Sequence, residues 1–127
     1  VNTTPDAVVV IDDTYNSNPV GAAKALDMAV MHAGAAGQVY VVTPGMVELG
    51  SQQAERNREF AASIPANNGH LVVVGWTNRK SLMRGAIHSG VSVSTASSRE
   101  EAGRKVGRVA SSGDVILFEN DLPDHYP

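Results

Sequence analysis

The sequence predicts an α/β fold: an open, mostly parallel, doubly wound sheet of five or six strands with helices on both faces. Short runs of apolar, β-branched residues alternate with stretches of helical character along the 127 residues. That alternation is typical of a parallel sheet covered on both faces. A chain of this length has room for one hydrophobic core, so we expect residues 1–127 to form a single domain.

The first predicted strand and helix lie near the N-terminus. Residues 7–11 are nearly all Val and Ile, which predicts a central strand buried on both faces. Pro19 suits the first turn of a helix, because its missing N–H would have no partner there. From Pro19 to about residue 31, apolar residues recur at spacings of three and four, which places on one helical face Val20, Ala23, Leu26, Ala29 and Val30.

The later elements repeat this alternation. Strands are predicted at residues 39–42, 71–74, 91–93 and 115–118, and helices at residues 52–63, 79–88 and 98–110. Phe60 and Ile64 can face the sheet, and Ser98 stands three residues before Glu101, as in a capping box. With right-handed crossovers the result is a Rossmann-like sheet, whose ligands gather beyond the carboxyl ends of its strands.

Composition and charge exclude several classes of function. The formal net charge of −3 argues against nucleic acid as a partner. The chain has no cysteine, and its four histidines share no metal-ligand spacing, so we expect no metal site. Neither a G-x-x-x-x-G-K-[ST] phosphate loop nor a G-x-S-x-G motif occurs. No apolar stretch approaches the roughly 20 residues of a membrane span, so we expect a cytoplasmic protein without a membrane partner.

The first segment that can carry chemistry follows the first strand and reads Asp12-Asp13-Thr14-Tyr15-Asn16-Ser17-Asn18-Pro19. Two adjacent carboxylates, a Tyr and two Asn are costly to hold at a strand end unless they bind something polar. One interpretation is a nucleotide site, with Tyr15 packed against a base and Asp13 and Asn16 bonded to ribose or phosphate. The alternative is that Asp13, Asn16 and Asn18 only make turns and cap the next helix.

The second segment follows the second strand and reads Thr43-Pro44-Gly45-Met46-Val47-Glu48-Leu49-Gly50. Gly45 and Gly50 permit tight backbone turns on either side of Glu48, the ionisable residue between them. The apolar residues of this loop are expected to pack on the core. Glu48 can be an ordinary loop residue or part of a site near the loop.

The third region combines residues that follow the third and the last strand, Gly75-Trp76-Thr77-Asn78-Arg79 and Glu119-Asn120-Asp121-Leu122-Pro123-Asp124-His125-Tyr126-Pro127. An Arg at the edge of a sheet can hold a carboxylate through two hydrogen bonds, which suits an amino-acid or peptide ligand. Arg79 can equally be a solvated residue that opens its helix.

The first two segments resemble motifs of one family. Residues 10–19 closely resemble the D-D-[ST]-Y-N-A-N-P motif, and residues 45–50 resemble G-D-M-x-E-L-G. Both motifs belong to the C-terminal domain of the Mur ligases, in the branch that adds D-alanyl-D-alanine to UDP-N-acetylmuramoyl-tripeptide. The resemblance spans nearly the whole chain. Because the first residue is Val1 rather than Met, we expect the chain to be part of a longer multidomain enzyme.

Mur ligases use ATP to convert a carboxylate into an acyl phosphate, which an amine attacks to form an amide. The resemblance implies that this domain closes over ATP and binds the incoming amino acid or dipeptide. Its implied partners are the enzyme's own central ATPase domain, which binds most of the ATP and Mg²⁺, and the UDP-linked muramoyl peptide. Without that central domain the transferring phosphoryl group has no electrostatic clamp, so we expect no catalytic residue here and no activity from the chain alone.

The resemblance also assigns roles to individual residues. In the first segment, the resemblance implies nucleotide contacts by Asp13, Tyr15, Asn16 and Asn18. Asn18 is also implied to shape the turn of that segment. The acceptor is expected to face Asn78, Arg79 and Asn120. The loop near the site contains Gly45, Glu48 and Gly50.

Two positions depart from the family motifs. The chain has Pro44-Gly45-Met46 where commoner ligases have G-D-M, and residues 119–124 stand where many members have a K-G-S-R-G-like segment. Both departures concern how the acceptor is held. Two alternatives therefore stay open: another branch of the superfamily, of the folylpolyglutamate or cyanophycin type, and a free-standing α/β nucleotide-binding module.

Overall fold

The computed structural model describes residues 1–14 and 17–127. Within these residues the strands are β1 (Asn2–Thr3), β2 (Val9–Asp13), β3 (Val39–Thr43), β4 (Gly69–Val74), β5 (Ser92–Ala96) and β6 (Val115–Glu119). The helices are α1 (Pro19–Ala33), α2 (Gln53–Ala62), α3 (Arg79–His88) and α4 (Arg99–Val109), with a 3₁₀ turn at Gly50–Gln52 before α2. The predicted α/β fold is confirmed.

The strands form one sheet in the order β1-β2-β6-β3-β4-β5. All neighbouring pairs are parallel except β1 and β2, which are antiparallel. Strand β6, the last in the chain, therefore lies in the middle of the sheet between β2 and β3. The carboxyl ends of these three strands meet at one edge, which we call the carboxyl edge, and the opposite edge is the amino edge.

The helices are divided unequally between the two faces of the sheet. One core cluster contains the buried residues of α1, α2 and α3, and a second contains those of α4. Right-handed crossovers explain the division. The chain moves in one direction along the sheet from β2 to β5, which keeps three helices on one face, and reverses from β5 to β6, which puts α4 on the other.

Two details of the sequence prediction are wrong. Strand β2 is not buried on both faces: Ile11 is buried, whereas Val9 and Val10 are half-buried and Asp12 is exposed, because only the two-residue β1 lies beyond it. In α1 the predicted apolar face is rotated, and Val20 is 66% exposed. The face of α1 that packs on the sheet consists of Ala22, Ala25, Leu26, Ala29 and Ala33.

Side-chain caps fix the start of two helices. Asn18 Oδ1 accepts the N–H of Gly21 (2.8 Å) at the start of α1, and Ser98 Oγ accepts the N–H of Glu101 (3.1 Å) at the start of α4. The carboxylate of Glu101 accepts the N–H of Ser97 (2.9 Å) rather than that of Ser98, so the predicted capping box is shifted by one residue. No helix in the described part of the chain is long and apolar enough to cross a membrane.

Candidate functional site

Polar residues end the three adjacent strands at the carboxyl edge. The β2–β6 register places Asp13 beside Glu119, and Thr43 at the end of β3 donates its hydroxyl to Glu119 Oε2 (2.8 Å). Since side chains alternate between the faces of a strand, these three residues lie on the face that carries α1, α2 and α3. They form a row across the middle of the sheet.

Asp12 lies on the opposite face of the sheet, where it forms an ion pair with Arg99. Its Oδ2 accepts a hydrogen bond from Arg99 of α4 (3.0 Å), and the Arg99 guanidinium lies over the ring of Phe118, 4.4 Å from its centroid. Burial raises the pKa of Asp12, but the hydrogen bonds from Arg99 and Thr14 outweigh it, so the net pKa is lowered. This carboxylate connects β2 to α4.

The segment after β2 is described only in part, because Tyr15 and Asn16 lie outside the described residues. Asn18 caps α1, as the alternative interpretation of this segment expected. Thr14 and Ser17 line a cavity at the carboxyl edge. The nucleotide contacts expected of Asp13, Tyr15, Asn16 and Asn18 stay a prediction.

Three buried asparagines hold the loop after β3 by its backbone, and we call Asn57, Asn78 and Asn120 the asparagine clamp. Asn57 Oδ1 accepts the N–H of Met46 (2.8 Å) and its Nδ2 donates to the carbonyl of Met46 (2.9 Å). Asn78 Nδ2 donates to two loop carbonyls (3.0 and 3.1 Å). Asn120 Nδ2 donates to the carbonyl of Gly45 (2.7 Å). Each clamp residue is at most 5% exposed, so this loop is fixed by buried contacts.

The clamp leaves no space for a side chain at Gly45. This residue has φ +82°, and an added Cβ would lie 2.6 Å from Asn57 Oδ1 and 2.7 Å from Asn78 Nδ2. The carboxylate of the G-D-M pattern would therefore not fit at this position without a shift of the clamp.

Glu48 and Gly50 lie farther along the same loop, and both have left-handed backbone conformations. Their φ angles are +64° and +59°. Glu48 is exposed. A left-handed conformation at a residue other than glycine costs about 1–3 kcal/mol and persists only where the surrounding structure imposes it, often near functional sites.

Glu119 is completely buried at the end of β6, with 0% exposure. Its Oε2 accepts the hydroxyl of Thr43, and its Oε1 has no hydrogen-bond partner among the described residues. Burial, together with the nearby charge of Asp13, raises the pKa of Glu119 to about 7 against the opposing effect of the Thr43 hydrogen bond. A carboxyl group at this position can hold a proton at neutral pH.

A cavity of about 280 Å³ opens at the carboxyl edge. It lies where the segment after β2, the loop after β3 and the residues after β6 meet. Its walls are Thr14, Ser17, Val47, Glu48, Asn120, Asp121, Leu122, Pro123, His125 and Tyr126. Its volume is close to the lower end of the range for small-ligand sites. In the described part of the chain, no group of three or more His, Asp and Glu side chains is arranged to hold a metal ion.

The residues after β6 cross the carboxyl edge from β6 to the end of β4. The carbonyl of Pro127 accepts the N–H of Trp76 (2.7 Å), and His125 packs against Tyr126 with ring centroids 4.4 Å apart. This segment forms one wall of the cavity.

Two residues expected at the acceptor, Asn78 and Arg79, do not line the cavity. Asn78 accepts a hydrogen bond from Gln53 Nε2 (2.9 Å), so both ends of its amide are engaged. Arg79 Nε donates to the carbonyl of Gly75 (3.0 Å), and its guanidinium lies 3.6 Å from the ring centroid of Trp76. Asn120 lines the cavity, but its amide nitrogen binds the loop. Acceptor contacts by these three residues stay a prediction.

Sequence reasoning missed Thr43 and Asn57. Thr43 begins the second segment without an assigned role, although its hydroxyl joins β3 to β6. Asn57 lies in the polar helix α2, where an asparagine is expected to be solvated, yet it is 0% exposed. Its position facing Phe60 along the helix, at a spacing of three residues, was the available indication.

The family model described as Mur ligase, glutamate ligase domain, matches residues 1–119, which include every strand and helix of the described chain and end at Glu119. A search of curated proteins gives no match to the chain.

Proposed function

The chain belongs to the Mur ligase family, as a Mur ligase C-terminal domain, and we propose that it closes over ATP and binds the incoming amino acid or dipeptide of an ATP-dependent amide ligase. One observation carries the proposal. The segment after β2, the loop after β3 and the residues after β6 share one cavity at the carboxyl edge. Ligands of open α/β sheets bind beyond this edge.

In the proposed reaction, a substrate carboxylate attacks the γ-phosphorus of ATP and ADP leaves, which gives an acyl phosphate. The acceptor amine attacks the acyl carbon, phosphate leaves, and the amine loses a proton as the amide forms. A central domain with a phosphate loop would hold ATP, with Mg²⁺ neutralising phosphate charge. This domain would contribute the carboxyl edge, whose closure excludes water that would hydrolyse the acyl phosphate.

We assign D-alanyl-D-alanine as the acceptor and UDP-N-acetylmuramoyl-tripeptide as the carboxylate substrate, which makes this a step of peptidoglycan precursor synthesis. The support is the segment Asn16-Ser17-Asn18-Pro19, which favours the dipeptide-adding branch. A glutamate acceptor, as in folylpolyglutamate-type ligases, is the second candidate because the description of the matching family names a glutamate ligase domain.

An acceptor screen with the full-length protein tests the assignment. Phosphate release from ATP is measured with the muramoyl tripeptide and D-alanyl-D-alanine, and in parallel with a folate substrate and L-glutamate. We expect release that depends on both the tripeptide and the dipeptide. Release only with folate and glutamate would move the chain to the second candidate, and no release with either pair would contradict both candidates.

Two substitutions test the site within that enzyme. Asp13→Asn should raise the KM for ATP, because it replaces an oxygen that would accept a ribose hydroxyl. Glu48→Gln should raise the KM for the acceptor, because it removes a negative charge that would attract the acceptor amine. Arg58→Gln serves as the control, because Arg58 pairs on the protein surface with Glu55 of its own helix. Equal effects of all three substitutions would contradict a site at the carboxyl edge.

ATP binding by residues 1–127 alone separates a ligase domain from a free-standing nucleotide-binding module. Isothermal titration calorimetry should detect weak binding or none, because the proposed domain holds one side of the nucleotide site. Tight binding by the isolated chain would favour the module.

A further inference from the structure

We propose that Glu119 is a positioning residue: as a neutral carboxyl it accepts the hydroxyl of Thr43 and donates its own proton to the carboxylate of Asp13. It thereby fixes the end of β2 relative to the loop after β3. The effect of this arrangement on ATP binding rests on the proposed function. The presence of the proton on Glu119 and of its two hydrogen bonds does not depend on that function.

The order of the strands gives Glu119 a neighbour on each side. Strand β6 lies between β2 and β3, with Asp13 in register on one side and Thr43 hydrogen-bonded on the other. Because Oε2 is taken by Thr43, Oε1 is the oxygen left for the β2 side. Oε1 is buried and lacks a hydrogen-bond partner among the described residues, which is costly for an ionised oxygen. Protonation turns this oxygen into a donor.

Thr43 is hydrogen-bonded on two sides. The N–H of Gly45 donates to Thr43 Oγ1 (2.9 Å), and the hydroxyl of Thr43 donates to Glu119 Oε2 (2.8 Å). Because Oε2 accepts in this arrangement, a proton on Glu119 resides on Oε1. The hydrogen bonds then run in one direction from Gly45 through Thr43 and Glu119 to Asp13.

The charged surroundings of Glu119 favour a proton over a counter-ion. Strand β2 contributes the carboxylate of Asp13, and strand β3 contributes the uncharged Thr43. Helix α1, which packs against β6, has no ionisable residue in its first turn. After β6, Asn120 is neutral and Asp121 is exposed. Within the described residues, Glu119 has no Lys, Arg or His as an ion-pair partner.

The same hydrogen bonds reach the loop that borders the cavity. The carbonyl of Gly45 accepts Asn120 Nδ2 (2.7 Å), so Gly45 is held through its N–H by Thr43 and through its carbonyl by Asn120. Loss of the proton would place two like charges on neighbouring strands, which is unfavourable. Asp13 and the loop would then separate, and both adjoin the proposed nucleotide site.

Infrared spectroscopy of residues 1–127 tests the proton directly. At pH 6 we expect a C=O stretching band of a protonated carboxyl that disappears in Glu119→Gln and persists in Asp114→Asn, the control at the amino end of β6. The band should weaken as the pH rises from 6 to 8. Its absence from the wild-type protein at pH 6, or its persistence in Glu119→Gln, would overturn the proposal whether or not the chain acts on ATP.

Kinetics of the full-length enzyme test the positioning role. Glu119→Gln keeps a donor and an acceptor, so its KM for ATP should stay independent of pH, whereas the wild-type KM should rise about tenfold from pH 6 to pH 8, the effect of losing one hydrogen bond to a charged group. Glu119→Leu should show the raised KM at every pH. A wild-type pH profile retained in Glu119→Gln would overturn the role.

Thr43 supplies a second variant in case Glu119→Leu does not fold. Thr43→Ser keeps the hydroxyl and should restore the KM that Thr43→Val raises. If the two Thr43 variants behave alike, the hydrogen bond to Glu119 has no positioning effect. If the full-length protein does not use ATP at all, the proposed function fails. The infrared experiment still tests whether Glu119 carries a proton.

Discussion

The two ends of β6 each carry a buried acidic residue, and the two residues differ in their hydrogen-bond partners. Asp114, just before the strand, accepts the N–H groups of Gln38 (2.9 Å) and Ser111 (2.8 Å). Glu119, at the other end, accepts one hydroxyl and adjoins Asp13. At the amino edge the acid satisfies backbone donors and closes a turn. At the carboxyl edge, Glu119 Oε1 has no hydrogen-bond partner among the described residues, and incompletely paired buried acids are typical of functional sites.

The largest expected difference between the two ends is in the pH dependence of stability. The folded-state pKa of Glu119, about 7, lies above its ordinary value of 4.5, so the folded protein binds more protons between these values. Its stabilising contribution is complete below pH 4.5 and is lost as the pH rises through 7, a change on the order of 3 kcal/mol. Urea unfolding at pH 5 and pH 8 measures this loss.

Glu119→Gln should remove most of that pH dependence, and at pH 8 it should be more stable than the wild type. Asp114→Asn should retain it. If the wild-type free energy of unfolding does not fall between pH 5 and pH 8, Glu119 does not differ from Asp114 in its effect on stability, and the comparison fails.

The next largest difference is expected in the free energy of unfolding lost when an asparagine is removed at each edge. Asn57→Ala at the carboxyl edge leaves the buried N–H of Met46 unpaired and should cost about 2 kcal/mol. Asn68→Ala at the amino edge removes one half-buried hydrogen bond to the carbonyl of Gly37 (2.9 Å), and should cost about 1 kcal/mol. Denaturant unfolding at constant pH compares them, and equal losses would show that the asparagine clamp is no tighter than an ordinary turn.

Asp114→Asn should cost about 1.5 kcal/mol, because the asparagine amide nitrogen replaces an oxygen that accepts a backbone N–H. Thermal unfolding at pH 6 measures the decrease in Tm relative to the wild type. An unchanged Tm would show that the N–H groups of Gln38 and Ser111 do not depend on both oxygens of Asp114.

The smallest effect is expected from Arg99→Ala. Its ion pair with Asp12 is exposed to solvent, and such pairs contribute at most about 1 kcal/mol. We expect a loss of about 0.5 kcal/mol at low ionic strength and less in 0.5 M salt, as salt screens exposed charges. A loss as large as that from Asn57→Ala would show that α4 depends on this contact far more than its exposure indicates.

Much of the fold could be predicted because apolar periodicity is a local property of the chain. Helix α3 has its predicted bounds, and five predicted strands are present. The errors arose where tertiary context decides: β1 is a two-residue strand made by pairing with β2, and Val20 lies on the exposed side of α1.

The sequence predicts which segments follow the strands at the carboxyl edge, but the contacts among their side chains could not be predicted. Motif position placed Asp13 and Glu48 at the carboxyl edge, which the parallel sheet brings together. Whether a polar residue is buried depends on contacts far along the chain, such as the Thr43–Glu119 bond across 76 positions. Acceptor contacts by Asn78 and Asn120 stay a prediction. The hydrogen bonds from both amides to the loop backbone could not be predicted from the sequence.

The steric conditions at Gly45 restrict how this sequence can evolve. An aspartate introduced there would meet Asn57 and Asn78 at distances below van der Waals contact, so the single substitution is expected to be lost through misfolding before any gain in activity. Smaller residues at both asparagine positions would relieve this contact, but they would also remove hydrogen bonds that hold the loop. A carboxylate at position 45 and the asparagine clamp therefore compete for the same space.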